Sequence, residues 1–167
     1  MKKKYKKLLT SIIPRHIDRV DLIEKNLNDL NLKTHKHESN KKIDKNTDVY
    51  IVNSYGKTKS FYNYCKNVFL GGSLIKHGGQ NPLEAVRYGC KVFHGPNVSN
   101  FREIYEFLKN KSLSRRVVNY ENLANFLLSN FKKRVKHKKI IKNLNLIGKN
   151  ILNKNNKEIS EKVSNEY

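Results

Sequence analysis

Short apolar stretches alternate with longer amphipathic ones along the first 130 residues of the chain. The apolar stretches are rich in β-branched residues and are bounded by Pro, Gly or Asn, which is the pattern of buried strands. The stretches between them place apolar residues three and four positions apart, as on one face of a helix. Strands are therefore predicted at 8–13, 32–38, 49–52, 67–70, 91–93 and 116–118, and helices at 18–30, 59–64, 81–88, 100–108 and 121–130.

This alternation predicts an α/β fold, a Rossmann-like parallel sheet with helices on both faces. In such sheets ligands bind beyond the carboxyl ends of the strands. Four loops follow predicted strands at that edge, namely 14–16, 53–57, 71–81 and 95–100. We expect these loops to converge on one ligand.

The most informative segment runs from Val68 to Ala85 and reads VFLGGSLIKHGGQNPLEA. Its two glycine pairs allow the backbone to approach a ligand closely. The predicted helix that opens at Asn81-Pro82 would point unpaired N–H groups and a partial positive charge at an anion. Because Glu84 in the first turn can accept hydrogen bonds from a diol, the segment predicts a nucleotide site. A structural role as N-cap and first helical residue explains Asn81 and Pro82, but neither the glycines nor Glu84.

The chain has 167 residues and a net charge of +21, which suits one basic domain. Lysines are spread along the whole sequence and no RNA- or DNA-binding motif accompanies them, so no specific nucleic-acid partner is predicted. Such a surface favours anionic partners in general, including acidic lipid head groups. The segment 131–157 lacks acidic residues and has an apolar helical stripe. It could pack on the sheet domain, or it could touch an anionic membrane.

The remaining candidates for chemistry are few. Cys65 and Cys90 have the spacing of neither a metal site nor a redox pair, and we expect both to pack as small apolar residues. His16 and His94 are isolated and are interpreted as structural. No metal cluster or catalytic triad can be argued from the spacing. No apolar run reaches the length of a membrane span, and the cytoplasm is the expected compartment.

Four motifs follow one another along the chain. They are Ile13-Pro14-Arg15-His16, Gly71-Gly72-Ser73, Gly78-Gly79-Gln80-Asn81-Pro82-Leu83-Glu84, and Gly95-Pro96-Asn97 followed by Asn100-Phe101 and Glu103. In this order they resemble the C-terminal half of 3-deoxy-D-manno-octulosonic acid (Kdo) transferases, which are glycosyltransferases of lipopolysaccharide synthesis. The resemblance extends over most of the chain, from about residue 7 to residue 130. The resemblance implies the GT-B architecture, in which two Rossmann-like domains face a cleft and the C-terminal one holds the donor, CMP-Kdo. The extent of the resemblance marks 1–130 as the donor-binding domain, and the charge pattern marks 131–167 as a basic helix followed by a tail that is expected to be frayed.

The resemblance also implies which residues contact the donor, with Glu84 as the ribose ligand. The implied nucleotide contacts are Pro14, Arg15, Tyr55, Gly56, Lys57, Asn81, Pro82, Leu83 and Glu84. Further donor-loop residues would be Gly71, Gly72, Ser73, Gly78, Gly79, Gln80 and Asn100. Two positions depart from the family pattern, since Lys57 replaces an acidic residue and Gln80 replaces a histidine.

The family's reaction needs parts that are not expected in this chain. The resemblance implies transfer of Kdo to a lipid A precursor at the cytoplasmic face of the inner membrane, without metal or cofactor. The acceptor surface, the membrane anchor and the glutamate that serves as general base would lie on an N-terminal half, which a separate partner chain is expected to supply. The first strand of the donor domain, with its Ser-Thr-His motif, is likewise expected upstream of Met1. The alternatives are a non-catalytic remnant or binding module, and a basic nucleic-acid or membrane-surface protein.

Overall fold

The computed structural model describes Tyr5, residues 8–38 and 40–130, and the single residues Lys142, Asn156, Ser160 and Glu161. Within the continuous ranges strands and helices alternate except between β2 and β3, where no helix intervenes, and the α/β prediction is confirmed. The strands are β1 Thr10–Ile12, β2 Thr34–Lys36, β3 Val49–Ile51, β4 Asn67–Leu70, β5 Lys91–His94 and β6 Ser114–Arg116. The α-helices are α1 Val20–Asp29, α2 Thr58–Tyr64, α3 Leu83–Arg87, α4 Arg102–Asn110 and α5 Tyr120–Asn130. Short 3-10 turns at Ile17–Arg19 and Ser99–Phe101 lead into α1 and α4.

The described strands pair in parallel, as predicted, and they form two sets of three. One sheet has the order β1-β3-β2 and the other the order β4-β5-β6. The chain divides into two compact units at the same place, one up to Phe61 and one from Tyr62 onward. Beyond residue 130 the predicted basic helix lies outside the described residues, apart from the four single positions, and stays a prediction.

The first unit is built around β3. Val49 and Ile51 on this central strand are buried together with Val20 of α1. Partly buried aliphatic residues complete this core, namely Ile12, Ile17, Ile23, Leu27 and Leu32. The apolar residues that predicted α1 are thus the residues that this helix packs against the sheet.

The second unit has the larger core, which lies between its sheet and the helices that follow the strands. Its buried members are Tyr62, Leu70, Ala85, Val86, Cys90, Val92, Tyr105, Leu108 and Leu113. The thiol of Cys90 donates to the carbonyl oxygens of Cys65, at 3.0 Å, and Tyr62, at 3.4 Å. Burial raises the pKa of Cys90 to about 12, so the thiol stays protonated and packs as a small apolar group, as predicted.

Three helices end in the same way, with one residue in the left-handed region. That residue is Asn31 after α1, Gly89 after α3 and Ser112 after α4, with φ of 56°, 81° and 57°. In each case the next N–H bonds back to a carbonyl five residues earlier, for example from Cys90 to Ala85 at 3.1 Å. This is the Schellman arrangement, and Gly89 is the stop that the sequence predicts.

Two predicted elements have different bounds in the structure. Strand β6 begins at Ser114 rather than at 116, because the turn at Ser112 brings the chain onto β5 earlier and the N–H of Val92 bonds to the Leu113 carbonyl at 2.9 Å. The sequence pattern favours Asn100 as the N-cap of the helix that ends near Leu108, but Asn100 does not cap α4. It lies within the 3-10 turn, and α4 begins after Phe101 without a side-chain cap.

Candidate functional site

The loops that follow β4 and β5 are joined to each other by Ser73. This side chain is fully buried, and its hydroxyl donates to the Leu70 carbonyl at 2.6 Å while accepting the N–H of Gly95 at 2.8 Å. The Ser73 carbonyl in turn accepts the N–H of Asn97 at 2.9 Å. Because β4 and β5 are parallel neighbours, both loops leave the same edge of the sheet, and these bonds hold them together.

Gly95 is required by this close approach. A Cβ atom at this position would lie 2.2 Å from the Ser73 carbonyl oxygen, far inside van der Waals contact. Part of the Gly95-Pro96-Asn97 motif is therefore explained by the packing of one backbone on another.

The second glycine pair packs against the same neighbouring loop. The carbonyl of Gly78 accepts the N–H of Asn100 at 3.3 Å, and a Cβ at Gly78 would lie 2.4 Å from the Asn100 side-chain nitrogen. A Cβ at Gly79 would lie 3.0 Å from Val98. Of the donor-loop residues predicted from the sequence, Ser73, Gly78, Gly79 and Asn100 thus lie where the loops after β4 and β5 contact each other.

The glycines of the motif differ in what the fold asks of them. Gly72, Gly78 and Gly79 have φ between 70° and 78°, a conformation that other residues rarely adopt. Gly71 has no such conformation, and a Cβ there would meet nothing within 4 Å. The fold itself explains why Gly72, Gly78 and Gly79 are glycines. Close approach of a ligand is therefore needed as an explanation only at Gly71.

The start of α3 differs from the sequence interpretation. The side-chain oxygen of Asn81 accepts the N–H of Leu83 at 3.0 Å, and Pro82 accepts the first helical bond from Val86 at 3.1 Å. The helix is only five residues long. One amide that was predicted to face a phosphate is thus bound by the protein, and the dipole of so short a helix is small.

Glu84 is the acidic residue of the first turn of α3 and is half-buried. Its charge reaches the neighbouring core, because burial, together with the charge of Glu84, raises the pKa of Tyr62 to about 12. A carboxylate in this position can accept two hydrogen bonds from vicinal hydroxyls.

Tyr105 and His94 form a pair beneath these loops that could not be predicted from the sequence. The Tyr105 hydroxyl donates to the Gln80 carbonyl at 2.8 Å, and its ring lies against the His94 ring with centroids 4.1 Å apart. Nδ1 of His94 donates to the Gly95 carbonyl at 2.8 Å. Burial, and then the charge of Arg116, lower the pKa of His94, against the opposing effect of that carbonyl. The structural interpretation of His94 from the sequence agrees with this environment.

The nucleotide contacts predicted in the first unit lie in two loops of its own sheet. Pro14 and Arg15 follow β1, and Tyr55 to Lys57 follow β3. These strands are parallel neighbours, so both loops leave the same edge. Arg15, Tyr55 and Lys57 are exposed, and Gly56 makes the turn with φ of 75°. The Lys57 carbonyl accepts the N–H of Ser60 at 3.0 Å and so starts α2.

Metal-ligand clusters and membrane-spanning helices are both absent from the described residues. No group of three or more His, Cys, Asp or Glu side chains in this part of the chain lies close enough together to hold a metal ion. That the reaction uses no metal stays a prediction. No helix in the same residues combines the length and the apolar character that crossing a membrane requires.

Comparison with known proteins gives consistent relatives. The chain is 34% identical over 105 residues to the 3-deoxy-D-manno-octulosonic acid transferase of Haemophilus influenzae. It is 31% identical over 138 residues to the enzyme of the same name from Aquifex aeolicus. These matches cover 63% and 81% of this chain, but only 25% and 38% of the relatives. No protein-family model matches.

A solved structure matches as well. It is the C-terminal CMP-Kdo binding domain of WaaA from Acinetobacter baumannii, which is 25% identical with a TM-score of 0.75. The match covers 84% of this chain and 73% of that domain. The two chains share their fold.

Proposed function

We infer that the chain, which is related over most of its length to the Kdo transferases and corresponds to their C-terminal part, binds CMP-Kdo as a glycosyl donor. The observation that carries this inference is the match to a solved CMP-Kdo binding domain over 84% of the chain. The joined loops after β4 and β5 support it, because they form a rigid rim at the strand edge where ligands of α/β proteins bind.

Within this rim Glu84 is the proposed ligand of the ribose hydroxyls. Gly71 is the proposed place where the donor approaches the backbone, since neither conformation nor packing requires a glycine there. Asn81 shapes the segment through its bond to Leu83. The resemblance assigns further nucleotide contacts to Arg15 and to residues 55–57 of the first unit, and these stay predictions.

The proposed reaction is the transfer of Kdo to a hydroxyl of a lipid A precursor. The acceptor oxygen forms a bond to the anomeric carbon, the bond from that carbon to the CMP phosphate breaks, and CMP leaves with the electron pair. The acceptor proton passes to a general base. This chain would hold CMP and stabilise the phosphate charge that develops, which directed donors can do without a metal.

The acceptor site and the base are proposed to belong to a region equivalent to the remainder of the relatives, of which this chain spans 25% and 38%. We propose that such an assembly works at the cytoplasmic face of the inner membrane, where its lipid acceptor is accessible. CMP binding by a chain that transfers no Kdo when that region is supplied would favour the alternative of a non-catalytic binding module.

Calorimetric titration of the full chain with CMP tests the donor site. We expect saturable binding, with UMP and AMP binding more weakly. Glu84→Gln should weaken CMP about tenfold or more, because hydrogen bonds to a charged group contribute about 1.5–3 kcal/mol.

Two variants sharpen this test. Glu106→Gln removes the same charge from an exposed position on α4 and should leave CMP affinity unchanged. Gly71→Ala should leave the unfolding temperature unchanged, because its Cβ has free space, and should weaken CMP binding. A folded parent that takes up no CMP at millimolar concentration would exclude the proposed function.

A further inference from the structure

The hydroxyl of Tyr105 reaches from the core of the second unit into the glycine-rich loop. Tyr105 lies on α4, is only 2% exposed, and donates to the carbonyl of Gln80, which is 25 residues away in sequence. Burial raises the pKa of Tyr105 far above its usual value, so the hydroxyl keeps its proton and remains a donor.

Tyr105 is itself held from two sides. Its ring lies against His94 at the end of β5, with centroids 4.1 Å apart. Its backbone carbonyl accepts the hydroxyl of Ser114 on β6 at 3.2 Å. Because Tyr105 is held against both β5 and β6, its hydroxyl can hold the loop that it contacts in one conformation.

The Gln80 carbonyl, which Tyr105 binds, lies at a position where the backbone conformation is important for the site. Gly78 and Gly79 precede it, and glycines in the left-handed region can reach many other conformations. Asn81, which caps the start of α3, follows it. The Tyr105 bond therefore holds the backbone between the glycine pair and the turn that carries Glu84.

We propose that Tyr105 is a positioning residue for nucleotide binding, one that sets the Gln80 carbonyl and thereby the orientation of the Asn81–Glu84 turn. The proposal rests on the proposed function of that turn. Tyr105 acts through the loop from within the core and has no contact with the ligand. It extends the site to a residue that no donor motif includes.

The test compares Tyr105→Phe with Tyr50→Phe in the full chain. Both remove one hydroxyl from a buried tyrosine and keep the ring. Tyr50 lies on β3 of the first unit, and its hydroxyl is bonded to the ring nitrogen of His37. We expect Tyr105→Phe to weaken CMP binding by about fivefold to tenfold, because the Gln80 carbonyl loses its buried donor, and Tyr50→Phe to leave the affinity unchanged.

Amide hydrogen exchange provides a second readout that a general loss of stability would not mimic. In Tyr105→Phe the amides of Gly78–Asn81 should exchange faster, while those of β4 and β5 should not. Equal CMP affinity and equal loop exchange in the two variants would overturn the proposal. If the parent binds no CMP, the proposed function fails, and the exchange comparison alone decides whether Tyr105 holds the loop.

Discussion

At the scale of single residues, the folded protein disfavours protonation of His94. It is 5% exposed, and burial and the nearby Arg116 lower its pKa below the ordinary 6.5, while the ring of Tyr105 packed on it stays neutral. The unfolded chain therefore takes up this proton at a higher pH than the folded chain does. Neutral His94 therefore contributes its full stabilisation of the folded state above about pH 6.5. This contribution is lost as the pH falls from 6.5 towards the pKa of His94 in the folded protein.

Urea unfolding at several pH values between about 7.5 and 5 measures this loss. His94→Phe keeps a ring against Tyr105 but cannot take up a proton, so its free energy of unfolding should fall less over this interval than that of the parent. Identical pH profiles for the two proteins would show that His94 does not couple folding to protons.

The candidate site could be outlined from the sequence, but the physical reason for several of its residues could not. The glycine pairs, Ser73 and Glu84 were all identified from the sequence. The reason for Gly95 depends on the Ser73 carbonyl 22 positions earlier, a long-range contact that no local pattern encodes. The role of Tyr105 could not be predicted either, because its partner Gln80 is 25 residues away in sequence and a tyrosine on a helix face has the pattern of an ordinary core residue.

At the scale of elements, the ends of helices offer the clearest gain in stability. Ser112 is exposed and holds φ of 57° after α4, where Gly89 fills the equivalent place after α3. A non-glycine residue in this region costs about 1 kcal/mol or more. Ser112→Gly should therefore raise the free energy of unfolding by about 1 kcal/mol.

The matched control for this change is Asn110→Gly, two residues earlier in the last turn of α4. Its backbone is helical, where glycine is unfavourable, so it should give no gain. Denaturant titration of both variants measures the difference. A gain in both, or in neither, would contradict the assignment of strain to Ser112.

Elements were predicted correctly wherever apolar spacing was strong, as in α1 and β3. The predicted first and last residues of an element were wrong where individual hydrogen bonds determine them. Strand β6 is polar between two buried residues, Leu113 and Val117, so the hydropathy pattern placed it too late. The five-residue α3 was predicted too long at both ends, although the sequence did indicate a capping role for Asn81, whose side-chain oxygen accepts the N–H of Leu83.

At the scale of the whole molecule, the net charge of +21 creates a field that attracts any anion. Such a field is screened over about 10 Å at 0.1 M salt and about 3 Å at 1 M. Short hydrogen bonds to a bound nucleotide are screened less. Flotation with vesicles containing an acidic phospholipid should therefore show association at about 0.1 M NaCl and release at about 1 M.

CMP binding measured over the same salt range should weaken far less, and its preference over UMP should persist, because the base and ribose are recognised by directed contacts. Vesicles of neutral lipid provide the control for the field itself. If CMP affinity instead fell as steeply as vesicle association and the preference for its base disappeared, the nucleotide would be held by general charge alone. That outcome would favour a basic surface protein over a donor-binding domain, since a built site discriminates among anions of equal charge and a diffuse field does not.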